Sequence, residues 1–216
     1  FLTTFTAGAD TACLLSIAAD SNYSVWINGQ LAAFGQYADY PDYKVYDELE
    51  LSASCLRGEN KLQIVVWYYG TDNSQTYFKA DAGLIFELFI DGRSVLASGP
   101  DTLCRSENHY KNGYLKLITS QLGLSFLYDA NAVPGELHGA CPAVARELSL
   151  LRPIKKLTLG ERIDARIEKR GEGHYLVDLG RESCGFVELE FFSEKRNRIT
   201  VAYGEHIADG CVRRII

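Results

Sequence analysis

The sequence predicts an all-β protein: an antiparallel β-sandwich of the jelly-roll or galactose-binding-like kind, followed by a second, partial β-sandwich. Three observations predict it. Apolar and polar residues alternate over many short runs, the period that sends successive side chains to opposite faces of a strand. Turn signals such as Asn28-Gly29 and Asp91-Gly92 separate those runs, and in a type I′ hairpin both central residues need φ > 0. Helical periodicity is hard to find over any long window.

Taken in order, residues 11–19 (TACLLSIAA) read as the first strand. Residues 23–27 and 30–35 flank Asn28-Gly29 as a hairpin. Alternation there sets Trp26 with Ser24 and Asn28 on one face, opposite Val25 and Ile27. Trp26 is therefore expected as a partial core residue or one covered by a neighbouring domain. Arg57-Gly58-Glu59-Asn60 leads into a strand at 61–69 (KLQIVVWYY). Residues 83–90 and 93–97 repeat the hairpin device around Asp91-Gly92.

From about residue 129 the texture changes. DANAVPGELHGACPAV is rich in Gly, Pro and Ala, and LSLLRPIKKL is a basic connector. A boundary is expected between residues 129 and 160, with a first sandwich over 1–140, a linker over 141–160 and the start of a second sandwich over 161–216. In that last part Gly171–Gly173 reads as a turn, and Glu194–Arg198 reads as a charged hairpin loop before RITVAYG. The start at Phe1, the lack of Met and the stop on strand-like CVRRII read as a fragment or processed chain, whose second sandwich is incomplete.

A chain of 216 residues can bury a real core. A net charge of −6 argues against a nucleic-acid partner, which needs clustered Lys and Arg. No apolar run approaches the about 18 residues of a membrane span, and no basic-then-apolar leader is visible. The six cysteines are widely spaced, without a C-x-x-C pair or a histidine at ligand spacing, so neither a zinc site nor another cofactor is expected. Most sit in apolar runs and read as buried free thiols of a reducing compartment, which makes the expected location cytoplasmic.

The candidate chemistry is carbohydrate contact. Tyr37, Tyr40, Tyr43 and Tyr46 recur at every third position around Pro41, a period that in an extended chain sets several rings on one side. WYYGTDNSQTYF adds Trp67, Tyr68, Tyr69, Asp72, Asn73 and Tyr77. Sugars need aromatic faces for the C–H surface of the ring and planar polar groups for the hydroxyls. The candidate binding set is Tyr37, Tyr40, Tyr43, Trp67, Tyr69, Asp72 and Asn73. Against it, Tyr and Trp are favoured in strands for packing alone. Paired carboxylates would be glycosidase machinery. Yet the clusters Asp39, Asp42, Asp47, Glu48 and Asp72, Asp81 read as solvated surface. The histidines 109, 138, 174 and 206 lie in no catalytic motif.

Two stretches together resemble a family. Tyr23, Ile27, Asn28 and Gly29, followed by Tyr46, Asp47, Leu56, Gly58 and Asn60, are similar to the N-terminal β-sandwich of bacterial α-L-rhamnosidases. Asp178, Leu179, Gly180, Gly185, Phe186, Val187, Tyr203, Gly204, Glu205, Asp209 and Gly210 resemble the next module of those enzymes. Residues 98–140 depart most from the pattern. The resemblance implies that general acid and base sit on an (α/α)₆ barrel following these sandwiches, which hydrolyses terminal α-L-rhamnosides with inversion. No catalytic residue carries over to this chain. Its expected role is that of an accessory, non-catalytic sandwich whose partner is its own C-terminal catalytic domain, absent from the chain, and which also touches carbohydrate. A stand-alone carbohydrate-binding module and a purely structural interface domain remain alternatives.

Overall fold

In a computed structural model, residues 1–35, 44–72, 78–112, 126–142, 150–153, 155, 157–195 and 197–212 are described. They form two compact units, Phe1–Leu159 and Gly160–Ile216. Among the described residues there is no α-helix, and no helix is long and apolar enough to cross a membrane.

The first unit runs β1 (Leu2–Ala7), β2 (Cys13–Asp20), β3 (Asn22–Ile27), β4 (Gln30–Gly35) and β5 (Val45–Glu50). A 3-10 turn at Ser52–Ser54 leads to β6 (Gly58–Trp67), β7 (Gly83–Ile90), β8 (Arg93–Ala97) and β9 (Leu103–Cys104). Four short strands finish it: β10 (Tyr110–Asn112), β11 (Phe126–Tyr128), β12 (His138–Gly139) and β13 (Leu150–Leu151). One sheet has the order β12-β9-β1-β6-β3-β4 and the other β13-β5-β2-β7-β8, while β10 and β11 pair as a separate ribbon. Every pairing is antiparallel except that of β13 with β5.

The two sheets bury their alternate residues against each other, which is why the sequence alternates. Phe5, Val25, Ile27, Leu62 and Ile64 from one sheet meet Leu15, Ile17, Leu49, Phe86 and Leu88 from the other in one core. Both expected hairpins form with left-handed central residues, Asn28 (φ 53°) with Gly29 (φ 81°) and Asp91 (φ 50°) with Gly92 (φ 74°). Trp26 lies on the outer face, half-buried, and its indole N–H donates to Ser24 Oγ at 3.0 Å. The strands expected at 11–19, 23–27, 30–35, 61–69, 83–90 and 93–97 are present within a few residues at each end. β1 and β5 were not legible: FLTTFTAG is short and rich in Thr, and VYDELE is half acidic.

The second unit holds two ribbons, β14 (Arg166–Gly171) with β15 (His174–Asp178) and β16 (Ile207–Ala208) with β17 (Cys211–Val212). The first turns at Glu172-Gly173 as expected. The strand expected at RITVAYG does not form. A strand needs a ladder partner and a covered face, and here Phe186, Phe192 and Tyr203 are all exposed.

Candidate functional site

The positions that carried the resemblance pair with one another inside the first unit. Asn28, in the β3–β4 turn, donates its Nδ2 to Asn60 Oδ1 at 2.8 Å, and its own Oδ1 accepts the Lys61 backbone N–H at 2.9 Å. Asn60 is fully buried. Its Oδ1 also accepts the Leu56 N–H at 2.8 Å, and its Nδ2 donates to the carbonyls of Leu56 at 2.7 Å and Gly58 at 3.1 Å. Thus Asn-Gly and Leu-x-Gly-x-Asn form one lock, in which two amides satisfy the backbone of a turn and of a strand approach.

Tyr23 and Asp47 form a second pair. The Tyr23 hydroxyl donates to Asp47 Oδ2 at 2.7 Å, joining β3 of one sheet to β5 of the other. The other oxygen, Oδ1, accepts from Arg152 Nε, also at 2.7 Å. All three side chains are buried. Burial first, then the adjacent Asp47 charge and its hydrogen bond, raise the Tyr23 hydroxyl's pKa. Gly35 crosses this tyrosine so closely that a Cβ there would lie 2.6 Å from the ring. Asp47, read as part of a solvated acidic cluster, is therefore a core group. Arg152 was hidden in a connector whose basic character suggested only exposure.

The aromatic candidates lie at the end of β6. Ser21 N–H donates to the Trp67 carbonyl at 3.2 Å and Ser21 Oγ accepts the Tyr69 N–H at 3.0 Å, so the start of β3 fixes the chain beyond Trp67. Asn22 Nδ2 donates to Tyr69 Oη at 2.6 Å, and burial raises the pKa of that phenol. Trp67 and Tyr69 meet edge to face at 5.1 Å between centroids. From Trp67 the rings continue through residues that belong to no motif. Phe126 lies 5.2 Å from Trp67, Tyr110 lies 4.9 Å from Phe126, Tyr128 lies 5.0 Å from Tyr110, and His109 stacks on Tyr128 at 5.6 Å. The register Tyr110↔Tyr128 makes the two tyrosines a direct cross-strand pair. Tyr110, Phe126 and Tyr128 keep 37–53% of their surface exposed. The short apolar run Phe126-Leu127-Tyr128 was the available signal for this strip.

Charges beside the strip are internally paired. Lys111 Nζ meets Asp129 Oδ2 at 2.8 Å, and Arg105 Nη2 meets Glu107 Oε2 at 3.7 Å, while His109 Nδ1 is hydrogen-bonded to the other Glu107 oxygen. Of the remaining candidates, Asp72 closes a loop by accepting the Lys79 N–H at 2.8 Å. Tyr37, Tyr40, Tyr43 and Asn73 lie outside the described residues, as do Asp39 and Asp42. Among the described residues no group of three His, Cys, Asp or Glu side chains could hold a metal ion. All six cysteines are free, but the expectation that they are buried holds fully for Cys13 alone. Cys141 and Cys184 are exposed, because they lie outside the strands that make the core.

Among solved structures the chain is similar to the GH78 family rhamnosidase of Bacillus sp. GL1, with a TM-score of 0.56 at 23% identity. The likeness is one of fold. It covers 77% of this chain and 19% of that enzyme, so the chain spans about a fifth of the enzyme's length. It establishes a distant structural relationship between this β-sandwich and a part of that rhamnosidase. No family model matches the chain, and no curated protein matches it.

Proposed function

We propose that this chain is a non-catalytic, accessory β-sandwich portion of a glycoside hydrolase of the α-L-rhamnosidase type, and that its first unit contacts carbohydrate. In this reading it buttresses a catalytic domain carried elsewhere in the longer protein and holds substrate near it. The observation that carries the sugar contact is the strip of rings running from Trp67 and Tyr69 to Tyr128. Ligand sites combine apolar, aromatic walls with a few fixed polar groups, and here Asn22 and Tyr69 Oη supply such groups beside Trp67. The paired charges around the strip suit a neutral ligand. The placement of Asp47 in the core supports the non-catalytic role, since it is engaged by Tyr23 and Arg152.

Titration with L-rhamnose, galactose and oligosaccharides ending in them should release heat, and Trp67→Ala or Tyr110→Ala should abolish it. The absence of heat with every sugar would remove carbohydrate contact from the proposal.

A purely structural interface role is favoured by a separate observation: Phe186, Phe192 and Tyr203 of the second unit are 69%, 91% and 71% exposed. Apolar groups so exposed mark surfaces that another chain or domain covers. Concentration-dependent self-association in sedimentation experiments, relieved by Phe192→Ser, would support that role. A monomer at all concentrations would oppose it.

A further inference from the structure

We infer that Leu150–Arg152 is a latch: the connector beyond the first sandwich is captured as that sandwich's last strand, with the Arg152 guanidinium, seated on Asp47, as the group that holds it. The capture spans a large separation in sequence, because Arg152 reaches back 105 residues to Asp47. The backbone follows the side chain. Leu150 and Leu151 pair in parallel with Val45 and Tyr46, and the Arg152 N–H donates to the Tyr46 carbonyl at 2.9 Å.

Two paired residues are far too few to hold themselves on a sheet edge. Burial of the leucines does not hold them either, since Leu150 and Leu151 remain 51% and 46% exposed. What remains is Arg152, whose side chain is 6% exposed against the 4% of Asp47. Its Nη2 is buried and has no hydrogen-bond partner among the described residues. A guanidinium held in such a place at the cost of an unmet donor is fixed by its carboxylate, because releasing it would strand a buried charge facing Tyr23. Pro153 follows, and the parallel ladder ends at Leu151. The latch thus fixes Leu150–Arg152 at the edge of the sheet, beside β5.

The test is hydrogen exchange on the full chain, read by mass spectrometry on fragments covering 44–50 and 150–153. In the unsubstituted protein the amide at position 152 should exchange roughly a hundredfold or more slower than an unstructured amide. Arg152→Met, which keeps the length and removes the charge, should erase that protection while the β2 and β7 amides keep theirs. Tyr23→Phe, which leaves the ion pair intact, should preserve most of it. Exchange at the unstructured rate in the unsubstituted protein would overturn the latch, as would protection that survives Arg152→Met unchanged. Loss of the β2 and β7 amides together with position 152 in Arg152→Met would also overturn it, by making Arg152 a support of the whole core and not a local catch.

Discussion

Replacing Asn60 tests the lock between the hairpin turn and the approach to β6. Its side chain makes four hydrogen bonds, to Asn28 Nδ2, the Leu56 N–H and the carbonyls of Leu56 and Gly58, in a site with no exposed surface. At a net value of about 0.5–1.5 kcal/mol for each bond, Asn60→Ala should cost about 3 kcal/mol. With a urea slope of about 2 kcal/mol/M, the unfolding midpoint should fall by about 1.5 M. Asn60→Asp sharpens the reasoning, because it keeps the shape. One oxygen would still accept from Leu56 and Asn28, while the other would face two carbonyl oxygens in place of the amide that now donates to them. Burial and those carbonyls would raise the folded-state pKa of the new acid above its unfolded value of about 3.9. Its contribution is then fully present below that unfolded value and is lost as pH rises through the folded one. The variant should be closest to the parent in acid and furthest from it at neutral pH. Urea unfolding followed by tryptophan fluorescence across the acid-to-neutral range reads both effects. A loss under about 1 kcal/mol for Asn60→Ala, or a pH profile for Asn60→Asp that parallels the parent, would refute the account of these bonds.

Other perturbations read the same core. Tyr23→Phe should cost about 1–3 kcal/mol by leaving Asp47 Oδ2 without its donor. Because Tyr23 ionises less readily folded than unfolded, its contribution is present below about pH 10 and is lost above it; alkaline unfolding should be less steep in the phenylalanine variant. Gly35→Ala should destabilise by about 1–3 kcal/mol, measured by the same urea unfolding, because the new Cβ overlaps the Tyr23 ring. The Cys13 thiol is pushed up to about 12 by burial and by its contact with Cys55. Native alkylation at about pH 8, mapped by mass spectrometry, should therefore label the exposed Cys141 and Cys184 first and Cys13 last.

The strands of the first sandwich were legible wherever a local pattern sufficed. CLLSIAAD and GLIFELFI alternate, or run apolar, over lengths that suit a buried strand, and Asn28-Gly29 and Asp91-Gly92 encode the β3–β4 and β7–β8 turns in two residues each. The motif positions Tyr23, Asn28, Asp47 and Asn60 were also visible, but only as letters at a spacing. That Asn28 meets Asn60, and Tyr23 meets Asp47, depends on which strands face each other, and no spacing along the chain carries that information.

Composition and periodicity by themselves determined an all-β chain, its hairpins and the facing of Trp26 opposite Val25 and Ile27. Only the tertiary structure decided what the charged and aromatic residues do. A carboxylate in VYDELE looks solvated until a guanidinium 105 residues later arrives to cover it. Rings in Tyr110, Phe126 and Tyr128 look incidental until a short ribbon brings them to Trp67. The physical reason is common to both cases: alternation is a property of neighbours in sequence, whereas burial, charge pairing and ring contact are properties of neighbours in space.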